Sequence, residues 1–139
     1  MKEMIKLLRT GRYSCVITNG DETRTFTKRG LADLHELLLN NSPFLNGASI
    51  ADKVIGKAAA ALLIMGRIKR LYAIVISEPA LSLLLENKIE VKFFKRVPYI
   101  ENRDKSGWCP MELAVHDKKL SEIGPIVDDF ICQLKNADR

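Results

Sequence analysis

A chain of 139 residues is long enough for one domain with a sizeable core, and we predict a single domain over residues 1–139. Its longest apolar run, residues 58–65, is too short to cross a bilayer, which argues against a membrane protein. The net charge of +5 is modest and the basic residues are scattered except around residues 92–103, so the pattern also argues against a nucleic-acid-binding protein.

The N-terminus and the cysteines both bear on the compartment. The first residues, MKEMIKLLRTGRY, contain no apolar core of a signal peptide, which predicts a cytoplasmic protein. The three cysteines are odd in number and far apart, which fits neither a disulfide framework nor a CxxC metal pair. Cys15 falls in a predicted strand and Cys132 in a predicted helix, where we expect buried, unreactive thiols.

The first half of the chain predicts two helices around a hairpin. Residues 4–8 place apolar side chains on one side of a short helix that Gly11 ends. Residues 13–18 and 23–27 are β-branched or aromatic runs joined by the sequence NGD, which is typical of a hairpin. Leucines from Leu31 to Leu39 repeat at helical spacing, and we expect His35 between them to be a surface or satisfied histidine rather than a metal ligand.

The second half predicts a central helix and a βαβ unit. Residues 51–66 form the predicted central helix, which is apolar on every side from residue 58 to residue 65. An apolar strand at 71–76, a helix opened by Glu78-Pro79 and a strand at 89–94 follow, and the two strands should be parallel. A short helix begins at Pro110, and a last helix spans residues 125–134.

Elements in this order predict an α/β protein, a three-layer α/β/α sandwich on a mixed sheet. We expect strand 71–76 to be central, with strand 89–94 on one side and the hairpin on the other.

The order of elements also resembles the cytidine-deaminase-like fold. Zinc deaminases place a His-x-Glu at the start of their second helix and a Pro-Cys-x-x-Cys at the start of the third. The matching segment here is PALSL at residues 79–83, so both cysteine positions hold apolar residues, Ala80 and Leu83. Counting back by the spacing common in those enzymes puts the His-x-Glu at residues 50–52, where only the carboxylate of Asp52 remains. Because zinc needs three protein ligands, we expect no metal site, no cofactor and no cytidine or adenine deamination.

The whole chain is similar to a family of short bacterial proteins of unknown function with this fold. The segments that carry the similarity are SCVI at 14–17, ADKVIGKAAAALL at 51–63, SEP at 77–79 and WCPMEL at 108–113. The resemblance implies a fold and no activity. Because deaminase-fold proteins are often oligomers, it also implies a homo-oligomer.

Charged residues at the start of the predicted central helix form one group of candidates. Lys53 and Lys57 are four positions apart and would share one helix face, with Asp52 and Gly56 on the adjacent face. Lysines gain nothing from a helix N-terminus, so an anionic ligand competes here with a merely solvated first turn. Gly56 is less favourable than alanine inside a helix by about 1 kcal/mol, which predicts close approach of a strand, a ligand or another backbone.

The start of the short helix after residue 109 forms a second group. Pro110 fixes a helix start, so Cys109 lies at a helix N-terminus, a position that activates thiols as nucleophiles. The alternative is that Cys109 is simply a small residue there and Glu112 caps the helix.

In the deaminase fold the starts of the second and third helices border one pocket, so these groups and Glu78 are expected to meet. One function is then the binding of a nucleotide-like or other anionic small molecule by Lys53, Gly56, Lys57 and Glu78. The alternative is a metal-independent enzyme with Cys109 as nucleophile and Asp52 or Glu112 as acid/base. A structural partner subunit is the third class. If the site exists, Cys109 should be the most reactive of the three thiols.

Overall fold

The computed structural model describes residues 2–11, 13–27, 32–40, 42–101, 107 and 109–137. The strands are β1 (Cys15–Asn19), β2 (Glu22–Phe26), β3 (Ser49–Ile55), β4 (Arg70–Ser77) and β5 (Glu90–Val97). The helices are α1 (Lys2–Thr10), α2 (Ala32–Asn40), α3 (Ser42–Leu45), α4 (Lys57–Met65), α5 (Glu78–Glu86), α6 (Pro110–Val115) and α7 (Leu120–Ala137). Leu31, which the leucine pattern places in a helix, lies outside the described residues. The same is true of Trp108, which precedes the short helix at Pro110.

The strands form one mixed sheet in the order β2-β1-β3-β4-β5. β1 is antiparallel to both of its neighbours, and β3, β4 and β5 are parallel to one another. β1 and β2 join through a tight turn in which Gly20 takes a φ of 61°, a conformation that glycine adopts readily. The predicted hairpin, the mixed sheet and the parallel βαβ unit are therefore confirmed.

Helices pack on both faces of this sheet, which gives the predicted three layers. On one face, Met4 and Leu8 of α1 pack against Val16 and Ala51. On the other face, α2 to α5 bury the main core, and α6 and α7 pack against the far side of α4 in a second cluster. Helix α4 is thus enclosed, and its two leucines, Leu62 and Leu63, are each 1% exposed. Burying each of them stabilises the fold by about 2 kcal/mol.

The prediction of one helix from residue 51 to residue 66 is wrong at its start. Residues 49–55 form β3, and α4 begins at Lys57. β3 pairs with β1 on one side and with β4 on the other, so its ladder bonds outweigh the weak strand propensity of its middle residues. Consequently β3 is the middle strand of the sheet, and it separates the hairpin from the strand predicted to be central.

The prediction for the last helix is wrong in two respects. Helix α7 begins at Leu120 rather than at Pro125, which lies inside it. The early start is held by buried Ile123 and by Glu122, whose Oε1 accepts the Lys119 N–H at 3.2 Å. Cys132 is exposed rather than buried, because the buried side of α7 contains Ile123, Val127 and Ile131, four residues apart.

No helix in the described ranges is long and apolar enough to cross a membrane.

Candidate functional site

A buried carboxylate from α6 lies at the N-terminus of α4. Glu112 is 3% exposed, and its Oε1 accepts a hydrogen bond from the backbone N–H of Lys57 at 2.7 Å. The N-cap residue of α4 is Gly56, which has no side chain to accept this bond. Glu112 therefore caps α4 from a distant part of the chain, and its negative charge lies at the positive end of the helix dipole.

Gly56 makes room for this carboxylate. A Cβ at position 56 would lie 2.6 Å from Oε2 of Glu112 and 3.2 Å from Cγ1 of Ile100. The backbone of Gly56 is extended, with φ −99° and ψ −179°, so space and not conformation excludes a side chain here. The predicted close approach at Gly56 exists, but its partner is the Glu112 side chain rather than a strand, a ligand or a backbone.

The second carboxylate oxygen of Glu112 is unusual. Oε2 is buried, and it accepts no hydrogen bond from the residues that the structure describes. A buried acceptor without a donor raises the free energy of the fold by about 1–3 kcal/mol, and by more if it is charged. Such an atom in a native structure indicates a missing donor or a functional constraint.

The chain after β5 folds back over the start of α4. The carbonyl of Ile100 accepts the N–H of Cys109 at 2.8 Å, and Cys109 is the N-cap residue of α6 with Pro110 after it. Cys109 is partly buried and packs against the cluster that contains Ala58 in the first turn of α4.

The far end of α6 is tied to the same helix. Lys57 Nζ donates to the carbonyl of His116 at 3.0 Å. We call Gly56, Lys57, Cys109, Glu112 and His116 the Glu112 site. Ile100 and His116 were not predicted from the sequence. They contribute main-chain carbonyls, and Ile100 also packs near Gly56, and neither role depends on a recognisable side-chain pattern.

Asp52 and Lys53 do not join this site as predicted, because they lie on β3. Asp52 is four residues before Gly56 on an extended strand, about 13 Å along the chain. Lys53 follows Ala51 at a strand spacing of two, so it shares with Ala51 the face that α1 covers. Lys57 begins a helix on the opposite face, so the sheet separates the two lysines.

Glu78 lies at the same edge of the sheet as Gly56. It follows Ser77 at the end of β4, and Ile76 pairs with Ile55, the residue before Gly56. Its Oε1 is 3.7 Å from Nε of Arg96, and both side chains are more than half exposed. An ion pair of this length and exposure contributes little stability.

Asp52 instead forms a pair with Cys15, its direct partner across β1 and β3. The Cys15 thiol donates to the Asp52 carboxylate, which also accepts the Val54 N–H at 3.1 Å. Burial raises the pKa of Asp52 from its ordinary 3.8 to about 6. Burial, and after it the Asp52 charge, raise the pKa of the Cys15 thiol well above 9.0, which disfavours the reactive thiolate.

His35 is satisfied, as the sequence predicted. It is 7% exposed, and its Nε2 lies 2.5 Å from Oδ1 of Asp128 on α7.

The zinc motif positions need one correction. Residues 50–52 lie at the start of β3, so Ile50 and Asp52 are not at a helix start, where those enzymes place the His-x-Glu motif. The first turn after β3 holds Gly56 and Lys57 instead. Ala80 is fully buried, and no group of three or more His, Cys, Asp or Glu that could hold a metal occurs among the described residues. The absence of zinc stays a prediction.

Three comparisons with known proteins bear on this architecture. The profile of a domain of unknown function, DUF1893, matches residues 3–131. The crystal structure of a DUF1893 family protein from Thermotoga maritima is similar at 27% identity and a TM-score of 0.83, over 92% of this chain and 87% of that one. A search of curated proteins gave no match.

Weaker likenesses link the chain to two structures of RibD from Acinetobacter baumannii. They have 18% and 19% identity and TM-scores of 0.44 and 0.46, and each covers 33% of RibD. Likenesses of this strength carry no argument about activity. The match over most of the chain and the agreement of the folds lead to one conclusion: this chain belongs to the DUF1893 family.

Proposed function

We propose that the protein binds a nucleotide-like small molecule at the Glu112 site. The observation that carries the proposal is Oε2 of Glu112, a buried oxygen without a donor among the described residues, at the N-terminus of an enclosed helix. A ligand N–H group would supply the missing hydrogen bond. A carboxylate prefers such donors, and a nucleobase amino or ring N–H group is one of them.

The charges of the site favour one orientation of the ligand. Glu112 already occupies the N-terminus of α4, so a phosphate is disfavoured at that point. Lys57 uses one donor on the His116 carbonyl, and an ammonium has three. The base edge would therefore meet Glu112, and the anionic part would lie at Lys57 and toward Arg96, where it would compete with the Glu78 carboxylate for the guanidinium.

A thermal-shift assay against nucleosides and nucleotides tests the proposal. At one hundred times its Kd, a ligand stabilises the fold by about 2.7 kcal/mol, which for this length raises Tm by about 9 °C. Glu112→Gln keeps an oxygen for the Lys57 N–H and replaces the other oxygen with a donor, so it should abolish the shift.

Glu122→Gln is the matched control, because Glu122 also accepts a backbone N–H near a helix start but is exposed. It should leave the shift unchanged. A panel without any shift, or an equal shift in Glu112→Gln, would rule out ligand recognition by Glu112.

A second candidate is the metal-independent enzyme with Cys109 as nucleophile. Its support is that Cys109 and Glu112 lie three positions apart at the start of α6, so one turn contains a thiol and a carboxylate. Glu112 rather than Asp52 would then be the acid/base, since Asp52 is paired with Cys15.

The test is iodoacetamide labelling in a Cys132→Ser background, which removes the exposed thiol. Cys109 should react faster than Cys15, and Glu112→Gln should change its rate. Lys53→Ala is the control and should leave the rate unchanged, because Lys53 lies on the other face of the sheet. Equal rates for Cys15 and Cys109 would contradict this candidate.

A further inference from the structure

The face of the sheet that carries α1 is only partly covered. Helix α1 packs against β1 and β3, and in the described part of the chain no helix covers most of β4 and β5 on this side. Tyr72 and Ile74 of β4 lie on this face, since both pack at the edge of the α1 cluster. Tyr72 pairs with Lys92 of β5, and Phe94, two residues further, lies beside Ile74. We call Lys53, Tyr72, Ile74, Lys92 and Phe94 the open face.

Phe94 is the most exposed large apolar side chain that the structure describes. Its exposed fraction is 70%, against 40% for Phe93, which pairs with Ala73 on the helix-covered face. An aromatic ring this exposed offers a flat apolar face on which a planar group can stack.

One cation contacts this ring, and four more lie on the same side of the sheet. The guanidinium of Arg9 lies 5.2 Å from the Phe94 ring centre and donates to the Tyr72 hydroxyl at 2.8 Å. Lys2 and Lys6 precede Arg9 by seven and three positions, so they lie on the same side of α1. Lys53 and Lys92 are exposed on the strands.

These five cations come from three separate elements, which explains why the sequence showed no dense basic patch. Few acidic residues lie on this side among those that the structure describes. Glu90 shares the face with Lys92, two residues further along β5, but it pairs with Arg70, and Glu3 lies off the line of Lys2, Lys6 and Arg9 on α1.

We propose that the open face binds single-stranded nucleic acid. A base stacks on the Phe94 ring, and the neighbouring phosphates contact Arg9, Lys53 and Lys92. Basic side chains around an aromatic on a sheet are the combination that such strands require, because the backbone needs positive charge and every base has a flat face.

The charges and the exposed ring favour a single strand over a second copy of the chain or a nucleic-acid duplex. A second copy of the chain would bring like charges together across the interface, whereas a polyanion neutralises them. A duplex keeps its bases stacked inside, so it cannot use the exposed ring. The proposal does not depend on the Glu112 site, which lies on the other side of the sheet.

Fluorescence anisotropy with labelled oligonucleotides of about twelve residues, at about 50 mM salt, tests the proposal. Single-stranded RNA or DNA should bind more tightly than a duplex of the same sequence. Phe94→Leu keeps apolar bulk but lacks a ring, and it should weaken binding about tenfold. Phe93→Leu is the matched control on the opposite face and should leave the affinity unchanged.

A second pair of variants tests the contribution of the cations. Lys92→Gln should lower the slope of log affinity against log salt by about 0.7, the value for one phosphate contact, while Lys119→Gln, just before α7 on the helix-covered side, should not. Thermal melts of all four variants confirm that each is folded.

Several results would overturn the proposal. One is that the protein binds no oligonucleotide at low salt, and another is that it binds the duplex as tightly as the single strand. A third is that Phe93→Leu and Phe94→Leu weaken binding equally. Binding to anionic vesicles that Phe94→Leu abolishes, without oligonucleotide binding, would assign the face to a membrane surface. A dimer that Phe94→Leu dissociates, without oligonucleotide binding, would assign it to a second copy.

Discussion

Replacing Gly56 with alanine tests the packing of the Glu112 site through the sign of the stability change. The backbone at Gly56 has φ −99°, which alanine adopts without strain. At such a position Gly→Ala ordinarily stabilises a protein by about 0.4–1 kcal/mol, because it restricts the unfolded chain. Here the new Cβ would lie 2.6 Å from Oε2 of Glu112, so we expect destabilisation instead.

The magnitude follows from two contributions. Overpacking against Glu112 and Ile100 costs about 1–3 kcal/mol. A carboxylate pushed away also weakens its 2.7 Å hydrogen bond to the Lys57 N–H, and a bond to a charged group contributes about 1.5–3 kcal/mol. Since Glu112 can move part of the way, we expect a loss of about 3 kcal/mol. For 139 residues this lowers Tm by about 10 °C.

Urea unfolding followed by circular dichroism measures this loss. Gly107→Ala is the control, because its Cβ would meet no heavy atom of the described residues within 4 Å, and it should be neutral or slightly stabilising. In a Glu112→Ala background, Gly56→Ala should destabilise the protein less, because only the contact of the new Cβ with Ile100 remains. A Gly56→Ala protein as stable as the wild type, or a loss that Glu112→Ala leaves unchanged, would refute the packing argument.

Four further predictions concern other parts of the molecule. Because folding raises the pKa of Asp52 from 3.8 to about 6, its burial lowers stability as pH rises through that window, by up to about 3 kcal/mol above pH 6. Asp52→Asn should therefore gain stability relative to the wild type between pH 4 and pH 8, and a constant difference in urea melts would contradict the raised pKa. Because Cys132 is exposed, a maleimide pulse should label it before Cys109, contrary to the expectation from the sequence, and should label Cys15 last; mass spectrometry showing Cys15 labelled early would argue against its burial. Ser77→Ala removes the cap that accepts the Ala80 N–H at 3.3 Å and should cost about 1 kcal/mol in thermal melts, whereas no loss would show that the cap is dispensable. Self-association, implied by the family resemblance, should give a mass above 15.7 kDa in light scattering at tens of micromolar, and a single-chain mass would disprove it.

The sequence predicted those elements whose side chains pack at a regular spacing. The hairpin, the parallel unit of β4, α5 and β5, and the enclosed helix were readable because alternation and apolar runs report burial directly. Strand β3 was missed because its middle residues, Asp52 and Lys53, have low strand propensity. Its pairing with two other strands overrides that preference, and such pairing is invisible in a local window.

The same limit applies to the candidate site. Gly56, Lys57, Cys109 and Glu112 were named from local patterns, and the structure brings them together. The specific bond, from the Lys57 N–H to Glu112, joins residues 55 positions apart, and no spacing rule predicts it. The alternative interpretation had Glu112 capping its own helix, but it caps α4.

The boundary between β3 and α4 also changes what the two lysines can do. On one helix face, Lys53 and Lys57 would have formed a single cationic site. With Lys53 on a strand, the alternation of side chains places it on the α1 face, while Lys57 begins the helix on the other side. Lys57 then belongs to the enclosed Glu112 site, and Lys53 belongs to the open face around Phe94. The two proposals are therefore independent, and Lys53→Gln should weaken oligonucleotide binding while it leaves a nucleotide-induced shift in Tm unchanged. A loss of both properties in that single variant would mean that the two surfaces are coupled through β3.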